Sequence, residues 1–191
     1  MPIRRSFPTS DHPPIFTVGH STRTIPQFVD VLRGGPVELV VDVRTVPRSR
    51  TNPQYNFDVL GDELGEWQVG YERIAELGGL RGRSKLVPPE VNGFWDNQSF
   101  HNYADYALSD EFEGALEQLM ALAAERRTAI MCAEAVWWRC HRRIIADYLL
   151  LHGRKVLHLM GEGRAEQARM TPAAEELDGH LVYPATAEAQ A

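Results

Sequence analysis

The segment VELVVDV (37–43) constrains the fold of this chain more than any other segment. Five of its seven residues are valine or leucine, interrupted only by single acidic residues. Such a run is typical of a strand that is buried on both faces, whereas a strand with one wet face alternates apolar and polar residues. Strands of this kind belong to parallel sheets with helices on both sides. The segment therefore predicts an α/β fold.

Helix-like and strand-like segments alternate along the rest of the chain. At the start of TIPQFVDVL, Thr24 and Gln27 have the spacing of a capping box, and Gly34 follows as a helix end. Asp110 and Glu113 have the same spacing at the start of a longer helical pattern. The other predicted helices are residues 57–67, a segment beginning near residue 103, and RIIADYLLLHG, which ends at Gly153. The other predicted strands are IFTVGHS, VGYERI, TAIMCAE and KVLHLM, with a last short strand at HLVYP.

This alternation predicts a three-layer αβα sandwich built on a mainly parallel, Rossmann-like sheet of about five strands. A chain of 191 residues suits one such domain, which we expect over residues 15–160. Residues 1–14 are rich in proline, serine and threonine, which predicts a flexible N-terminal arm. We expect residues 161–191 to form a C-terminal extension that packs on the domain or trails from it.

Composition excludes several classes of protein. The net charge of −6 means that nucleic acid could bind only at a local basic patch. No apolar stretch approaches the roughly 20 residues of a membrane helix, and no apolar segment of a signal peptide follows MPIRRSF. Two cysteines cannot form a multi-disulfide scaffold. We therefore expect a cytoplasmic protein with reduced thiols and no membrane partner, and the oligomeric state is left open.

Polar side chains follow three of the predicted strands at the points where the strands end. In parallel α/β sheets ligands bind beyond the carboxyl ends of the strands, so we expect these side chains to converge at one edge. The residues are His20, Ser21, Asp42, Arg44, Arg48, Cys132 and Glu134.

The same positions carry a family resemblance. In chain order, TVGHSTRTIPQFVDVL, VVDVRTVPRSRTNPQYN, YERIAELGGLRG, FHNYADYALSDEFEGALEQL and IMCAEAVWWRCHRRIIADYL resemble the bacterial and archaeal family called domain of unknown function 488. The most specific elements are Gly-His-Ser, Asp-x-Arg, and Cys-x-Glu followed by Cys-His-Arg. The resemblance spans roughly residues 15–160. It implies the fold and the position of a site, and it implies no particular activity.

Arginines are concentrated at the predicted strand ends and in two long loops, the second of which covers residues 78–98. The planar guanidinium group suits phosphate and carboxylate, so this pattern predicts an electropositive site for an anionic ligand. The alternative is that each arginine pairs with a neighbouring acid. No P-loop and no GxGxxG pattern is present, which argues against a standard nucleotide cradle. The arginines are Arg44, Arg48, Arg50, Arg81, Arg83, Arg139, Arg142 and Arg143.

Cys132 ends a predicted strand, and a following helix N-terminus could lower the pKa of its thiol. The segment to Arg139 is one residue longer than the Cys-x5-Arg loop of sulfur-transfer and phosphatase enzymes, and it contains two tryptophans and Glu134. A buried structural cysteine is the alternative. A disulfide between Cys132 and Cys140 requires the intervening loop to fold back.

Metal binding is disfavoured by the spacing of the possible ligands. Cys132, Glu134, Cys140 and His141 match no zinc signature, and adjacent residues on a helix point about 100° apart. We therefore predict no metal and no cofactor. The two tryptophans at 137–138 are candidates for core packing or for stacking on a base.

The leading hypothesis is an enzyme that binds a phosphate-bearing ligand, such as a nucleotide or nucleic acid, and performs hydrolysis or group transfer. A non-catalytic module that binds nucleic acid or an anionic metabolite is the first alternative. The second is a sulfur-transfer or redox protein that uses the thiol of Cys132. In the leading hypothesis His20, Asp42 and Glu134 supply acid–base chemistry near Cys132, and Ser21, Arg44, Arg48, Arg139 and Arg142 bind the anion.

Overall fold

A single six-stranded sheet organises the computed structural model, which describes residues 11–185. The strand order across the sheet is β3-β2-β4-β1-β5-β6, and β6 alone runs antiparallel to its neighbour. The strands of the sheet are β1 (Ile15–Gly19), β2 (Leu39–Asp42), β3 (Gly70–Arg73), β4 (Thr128–Cys132), β5 (Val156–Gly161) and β6 (Arg164–Gln167). A separate hairpin consists of β7 (Glu175–Leu177) and β8 (His180–Val182).

Five α-helices cover the two faces of the sheet. Successive side chains of a strand point to opposite faces, so the apolar strands contribute to two cores at once. Val41 and Ile130 pack with α3, α4 and α5, whereas Val40 and Met131 pack with α1 and α2. The predicted three-layer sandwich is confirmed. The helices are α1 (Ile25–Arg33), α2 (Phe57–Gly65), α3 (Gln98–Tyr106), α4 (Asp110–Glu125) and α5 (Arg142–Leu151).

Local capping follows the sequence in one helix and departs from it in another. Thr24 and Gln27 form both hydrogen bonds of the capping box at the start of α1, as predicted. In α4 the capping residue is Ser109, whose hydroxyl accepts the N–H of Phe112 at 3.3 Å. Asp110 is instead the first helical residue, where its negative charge is favourable to the helix dipole.

The segment after β5 packs on the sandwich within the described residues. Its strand β6 pairs with β5, and Leu181 and Tyr183 are buried against the core formed with α4 and α5. The hydroxyl of Tyr183 donates to Asp147 on α5 at 3.0 Å. Residues 1–10 and 186–191, which include most of the predicted N-terminal arm and the end of the predicted extension, lie outside the described part.

A long loop connects the 3-10 turn at Ala75–Leu77 to α3, and its second half is held to the domain. Asn92 is fully buried, donates to Asp105 at 2.8 Å and accepts the backbone N–H of Tyr183 at 3.0 Å. The first half of the loop carries apolar side chains at the surface, since Leu80 and Leu86 are exposed. This first half lies beside the carboxyl edge of the sheet, next to the candidate site described below.

Candidate functional site

The polar residues that follow β1, β2 and β4 lie at one edge of the sheet, as expected, but they form two groups. The Asp42 cluster consists of His20, Asp42, Arg44, Tyr55 and Tyr71 and lies on the side of α1 and α2. The thiol cluster consists of Cys132, Cys140, His141 and Arg142 and lies at the start of α5 on the other side. Successive side chains of a strand point to opposite faces of the sheet, so residues that are neighbours in the sequence lie on opposite sides of it.

A buried ion pair organises the Asp42 cluster. The two carboxylate oxygens of Asp42 accept from Nε of Arg44 at 2.8 Å and from Nη2 at 2.6 Å, and Tyr71 donates a third hydrogen bond at 2.6 Å. Arg44 also donates to the backbone oxygen of Tyr55 at 2.7 Å. Because most of its donors are occupied inside the protein, Arg44 is first of all a structural residue. The alternative of pairing with a neighbouring acid therefore describes Arg44 better than free anion binding.

His20 is held as a neutral side chain. Its Nδ1 lies 2.8 Å from the carbonyl oxygen of Ser21, so Nδ1 carries the proton, and Nε2 accepts from Nη1 of Arg44 at 3.3 Å. The ring stacks on Tyr55 with centroids 4.0 Å apart. Burial lowers the pKa of His20 to about 4, and the nearby Arg44 adds to this effect. Both ring nitrogens are therefore engaged, which argues against the predicted acid–base role in this arrangement.

Gly19 explains how the loop after β4 crosses the end of β1. A Cβ atom at this position would lie 1.8 Å from the backbone oxygen of Glu134. The crossing lets the carbonyl groups of Cys132 and Ala133 accept the backbone N–H groups of His20 and Ser21 at 2.9 and 3.1 Å. The close approach at Gly19 is thus made by the protein's own backbone.

The thiol cluster forms because this loop folds back. The segment between β4 and α5 contains a 3-10 turn, Trp137–Arg139, which returns the chain to the strand end. The Sγ atoms of Cys132 and Cys140 then lie 2.7 Å apart, and both cysteines are buried and free. The loop therefore folds back, which the sequence analysis gave as the requirement for a contact between the two cysteines.

His141 faces the thiol of Cys140, which the sequence analysis did not expect. Its Nε2 donates to the carbonyl oxygen of Val43 at 2.8 Å, and Nδ1 is the nitrogen that faces the thiol, 3.4 Å from the Sγ of Cys140. The expected divergence of about 100° was wrong because Cys140 has extended backbone and His141 is only the N-cap of α5. Gly79 permits this arrangement, since a Cβ there would lie 2.5 Å from Nδ1 of His141.

Arg142 is a buried cation that has no carboxylate partner in the described part of the chain. Only 1% of its surface is exposed, and its guanidinium donates to the Sγ of Cys132 at 3.0 Å, to the hydroxyl of Thr17 at 3.2 Å and to the backbone oxygen of Glu134 at 2.7 Å. Within residues 11–185 no acidic side chain forms an ion pair with it. Burying an uncompensated charge is costly, so a thiolate is the anion that this environment favours.

The surroundings of the two thiols shift their pKa values in opposite directions. Burial and the hydrogen bond with Cys140 raise the pKa of Cys132 well above its ordinary value. Burial alone would raise the pKa of Cys140 as well, but the hydrogen bond from Cys132 and the nearby His141 and Arg142 lower it well below its ordinary value. The backbone N–H of Arg142 also points to the Sγ of Cys140 at 3.5 Å. We therefore assign the thiolate to Cys140.

A cavity of about 400 Å³ opens onto the thiol cluster. Both cysteines and His141 line its inner part, and the exposed side chains of Glu134 and Arg139 contribute to its mouth. Arg139 forms no ion pair with any described residue, so its charge is available to a ligand. The loop of residues 78–98 and α3 supply the remaining walls, which include Leu80, Asn97, Ser99 and Phe100.

Several predicted site residues lie away from this cavity. Of the eight arginines, Arg44 and Arg139 line it. Arg48 is exposed, pairs with Asp58 at 3.1 Å and lies over the ring of Phe57. The single electropositive rim expected from the sequence is therefore not formed in this structure. The predicted residues outside the cavity lining are His20, Ser21, Asp42, Arg48 and Arg142.

The two tryptophans of the loop also lie outside the cavity lining. Trp137 stacks on His158 with ring centroids 4.4 Å apart and donates to Glu166 at 3.3 Å. Trp138 packs edge-on against Trp137 and is 45% exposed. Packing therefore accounts for Trp137, and Trp138 presents one partly open face.

Sequence reasoning missed Cys140 and His141 as members of the site. The signal was present in the Cys-His-Arg triplet, but the fold-back of the loop was needed to interpret it. Within residues 11–185 no group of three or more histidine, cysteine or acidic side chains is arranged to hold a metal ion. None of the described helices combines the length and the apolar character needed to cross a membrane.

Comparison with known proteins identifies the family of the chain. A family model described as "Domain of unknown function DUF488" matches residues 24–149, which is more than half of the chain. The protein belongs to this family. Comparison with curated proteins and with solved structures gave no match.

Substitution of Gly19 by alanine is expected to lower the free energy of unfolding by about 3 kcal/mol or more, because the new Cβ would collide with backbone rather than with a flexible side chain. Gly114→Ala is the matched control: Gly114 lies inside α4 with nothing near its Cβ position, and alanine there should add about 0.5–1 kcal/mol. Urea unfolding measures both changes. Equal changes in the free energy of unfolding for the two variants would contradict the close approach of the loop backbone to Gly19.

The neutral state of the buried histidines predicts acid sensitivity. Burial lowers the pKa values of His20 and His158 to about 4, whereas both residues titrate near 6.5 in the unfolded chain. Below pH 6.5 the unfolded state binds protons that the folded state does not, so stability falls as the pH drops towards 4, by up to about 1.4 kcal/mol per pH unit for each histidine.

Urea unfolding between pH 7.5 and about 4.5 tests this dependence. His20→Gln should lower the slope of the free energy of unfolding against pH by the contribution of one histidine. The exposed control His152→Gln should leave this slope unchanged. An identical slope in the wild type and in His20→Gln would show that His20 is not held neutral by the fold.

Proposed function

We propose that the protein is a thiol-dependent enzyme whose nucleophile is the thiolate of Cys140. The observation that carries this proposal is the buried guanidinium of Arg142, which contacts the thiol cluster and has no carboxylate partner among the described residues. A structural arginine in the same sheet edge, Arg44, has such a partner in Asp42. The contrast between the two arginines supports the cysteines as the chemically active pair.

The surroundings of Cys140 suit nucleophilic catalysis. The cysteine precedes His141, the N-cap of α5, and the N-terminal N–H groups and dipole of this helix stabilise a thiolate. His141 presents Nδ1 to Cys140 and is oriented by the carbonyl oxygen of Val43, so Nδ1 can take up the thiol proton and then donate a hydrogen bond to the thiolate. Nucleophile, base and orienting group thus stand in the order that activated nucleophiles require. The geometry moves the thiol hypothesis from Cys132, where the sequence placed it, to Cys140.

The cavity supports a small substrate that combines apolar and anionic parts. Leu80 and Phe100 offer apolar contact, and the unpaired guanidinium of Arg139 at the mouth suits a carboxylate or phosphate. Of the anion-binding arginines that the sequence predicted, this proposal keeps one, at the entrance of the cavity. The predicted cytoplasmic location agrees with this proposal, because thiol catalysis requires reduced cysteines.

A phosphate-bearing ligand, which was the leading hypothesis from the sequence, is the second candidate. Its support is the charge of Arg139, which forms no ion pair in the described chain, together with Arg44, which lines the same cavity. In this candidate Glu134, which lines the cavity, acts as the acid–base group. Hydrolysis or group transfer at phosphorus, or simple binding of nucleic acid or an anionic metabolite, would then replace redox or sulfur chemistry.

Alkylation of the thiols as a function of pH tests the first candidate. Iodoacetamide with peptide mass mapping should label Cys140 with an inflection well below the ordinary thiol range, and Cys132 only above it, because Cys140 carries the thiolate. Arg142→Met should raise the inflection of Cys140 by at least about one pH unit.

Arg143→Met is the control for this experiment, since Arg143 occupies the same turn of α5 but lies over the ring of Trp95. It should leave the inflection of Cys140 in place. Two cysteines that both titrate in the ordinary thiol range of the wild type would sink the thiol proposal and leave the phosphate-bearing ligand as the better candidate.

A further inference from the structure

The second thiol limits the reactions that the proposed nucleophile can serve. Once Cys140 has been modified, the Sγ of Cys132 is already in contact with it. An acyl or phosphoryl group on Cys140 would gain nothing from such a neighbour. A modification that leaves the sulfur of Cys140 electrophilic would be removed at once by attack of Cys132, because a disulfide bond of about 2.05 Å requires only a small further approach.

We propose, on the basis of the proposed function, that the protein reduces an organic hydroperoxide and that Cys132 resolves the resulting sulfenic acid of Cys140. Burial supports a peroxide as the electrophile. Cys132 is 3% exposed and Cys140 6% exposed, so the reacting atom must be small and must enter through the cavity. A terminal peroxide oxygen meets this requirement, whereas the two substituted sulfur atoms of a disulfide are bulkier.

The stabilisation of the thiolate also favours a hydroperoxide as the oxidant. Arg142 and His141 stabilise the reduced, ionised pair, and oxidation removes the anion that Arg142 compensates. Stabilising the reduced form makes the corresponding disulfide strongly oxidising. A low-molecular-weight disulfide is therefore too weak an oxidant to form the disulfide of Cys132 and Cys140 efficiently, whereas a hydroperoxide is strong enough.

The reaction balances in two steps. The Cys140 thiolate attacks the terminal oxygen of ROOH, the O–O bond breaks, and the leaving RO⁻ takes up a proton to give ROH and Cys140 sulfenic acid. Cys132 then attacks the sulfur of Cys140 and its thiol proton leaves with the hydroxyl group as water, so that one S–S bond forms. The peroxide gains two electrons and the cysteine pair loses two. An external thiol reductant returns the pair to the reduced state.

The cavity gives the organic part of the substrate its character. Val46, Leu80 and Phe100 line it with apolar surface, and Arg139 stands at the mouth without an ion pair in the described residues. A volume of about 400 Å³ exceeds what hydrogen peroxide needs and accommodates a larger carbon skeleton. We assign the site to hydroperoxides that carry a carboxylate at the end remote from the peroxide.

Stoichiometric oxidation of the reduced wild-type protein tests the reaction without any variant. One equivalent of cumene hydroperoxide should remove both thiols, leave the intact protein lighter by two hydrogen atoms and yield one equivalent of cumyl alcohol, faster than with free cysteine by at least about a hundredfold, on the scale of activated thiolates in enzymes. Glutathione disulfide at the same concentration should leave the thiols largely reduced.

Two cysteine variants assign the roles. Cys132→Ser should stop at a sulfenic acid on Cys140 that dimedone traps, and Cys140→Ser should react no faster than free cysteine. A wild-type protein that accumulates the dimedone adduct, or that is oxidised equally well by glutathione disulfide, would overturn the proposal. If Cys140 alkylates at low pH but reacts with cumene hydroperoxide no faster than free cysteine, this inference fails and the thiol enzyme stands.

The carboxylate assignment has its own test. Arg139→Gln should slow oxidation by linoleic acid hydroperoxide about tenfold relative to oxidation by cumene hydroperoxide, which corresponds to the loss of one charge-assisted contact. The exposed control Arg33→Gln, on α1 and paired with Asp30, should change neither rate. An equal effect of Arg139→Gln on both hydroperoxides would overturn the assignment of the carboxylate to Arg139.

Discussion

The buried guanidinium of Arg142 is the interaction on which the candidate site depends. It lies at the first residue of α5 and joins that helix to β1 through Thr17, to β4 through Cys132 and to the following loop through the backbone of Glu134. Losing these bonds would free the loop that brings the two cysteines together. Because no carboxylate neutralises Arg142 within residues 11–185, the same interaction that fixes the structure also favours a thiolate.

Asp42 and Arg44 show what an arginine does at this edge when it has a carboxylate. Their buried ion pair, with Tyr71 as an additional donor, closes the opposite side of the sheet and leaves the neighbouring His20 neutral and engaged. This arrangement positions groups and offers little to a ligand. Two arginines that are both buried at the carboxyl edge of the sheet therefore have different consequences, and the difference lies in the chemistry of their partners.

Much of the fold could be predicted from the sequence, because it depends on patterns that local physics controls. The apolar run in β2 and the capping box of α1 predicted the layers, and the polar residues that follow the strands predicted the edge of the sheet where the candidate site lies. The site could be predicted only in part. Cys132 and Glu134 were placed correctly at that edge, but the pairing of Cys132 with Cys140 depends on a 3-10 turn, Trp137–Arg139, that spacing alone does not reveal.

The ultraviolet absorbance of thiolate measures whether Arg142 holds a thiolate on the cysteine pair at neutral pH. The reduced wild-type protein at pH 7 should absorb as one thiolate per chain, and this absorbance should disappear when the protein is acidified. In Arg142→Met the absorbance at pH 7 should be largely lost. A folded wild-type protein that shows no thiolate absorbance at pH 7 would show that Arg142 holds no thiolate there.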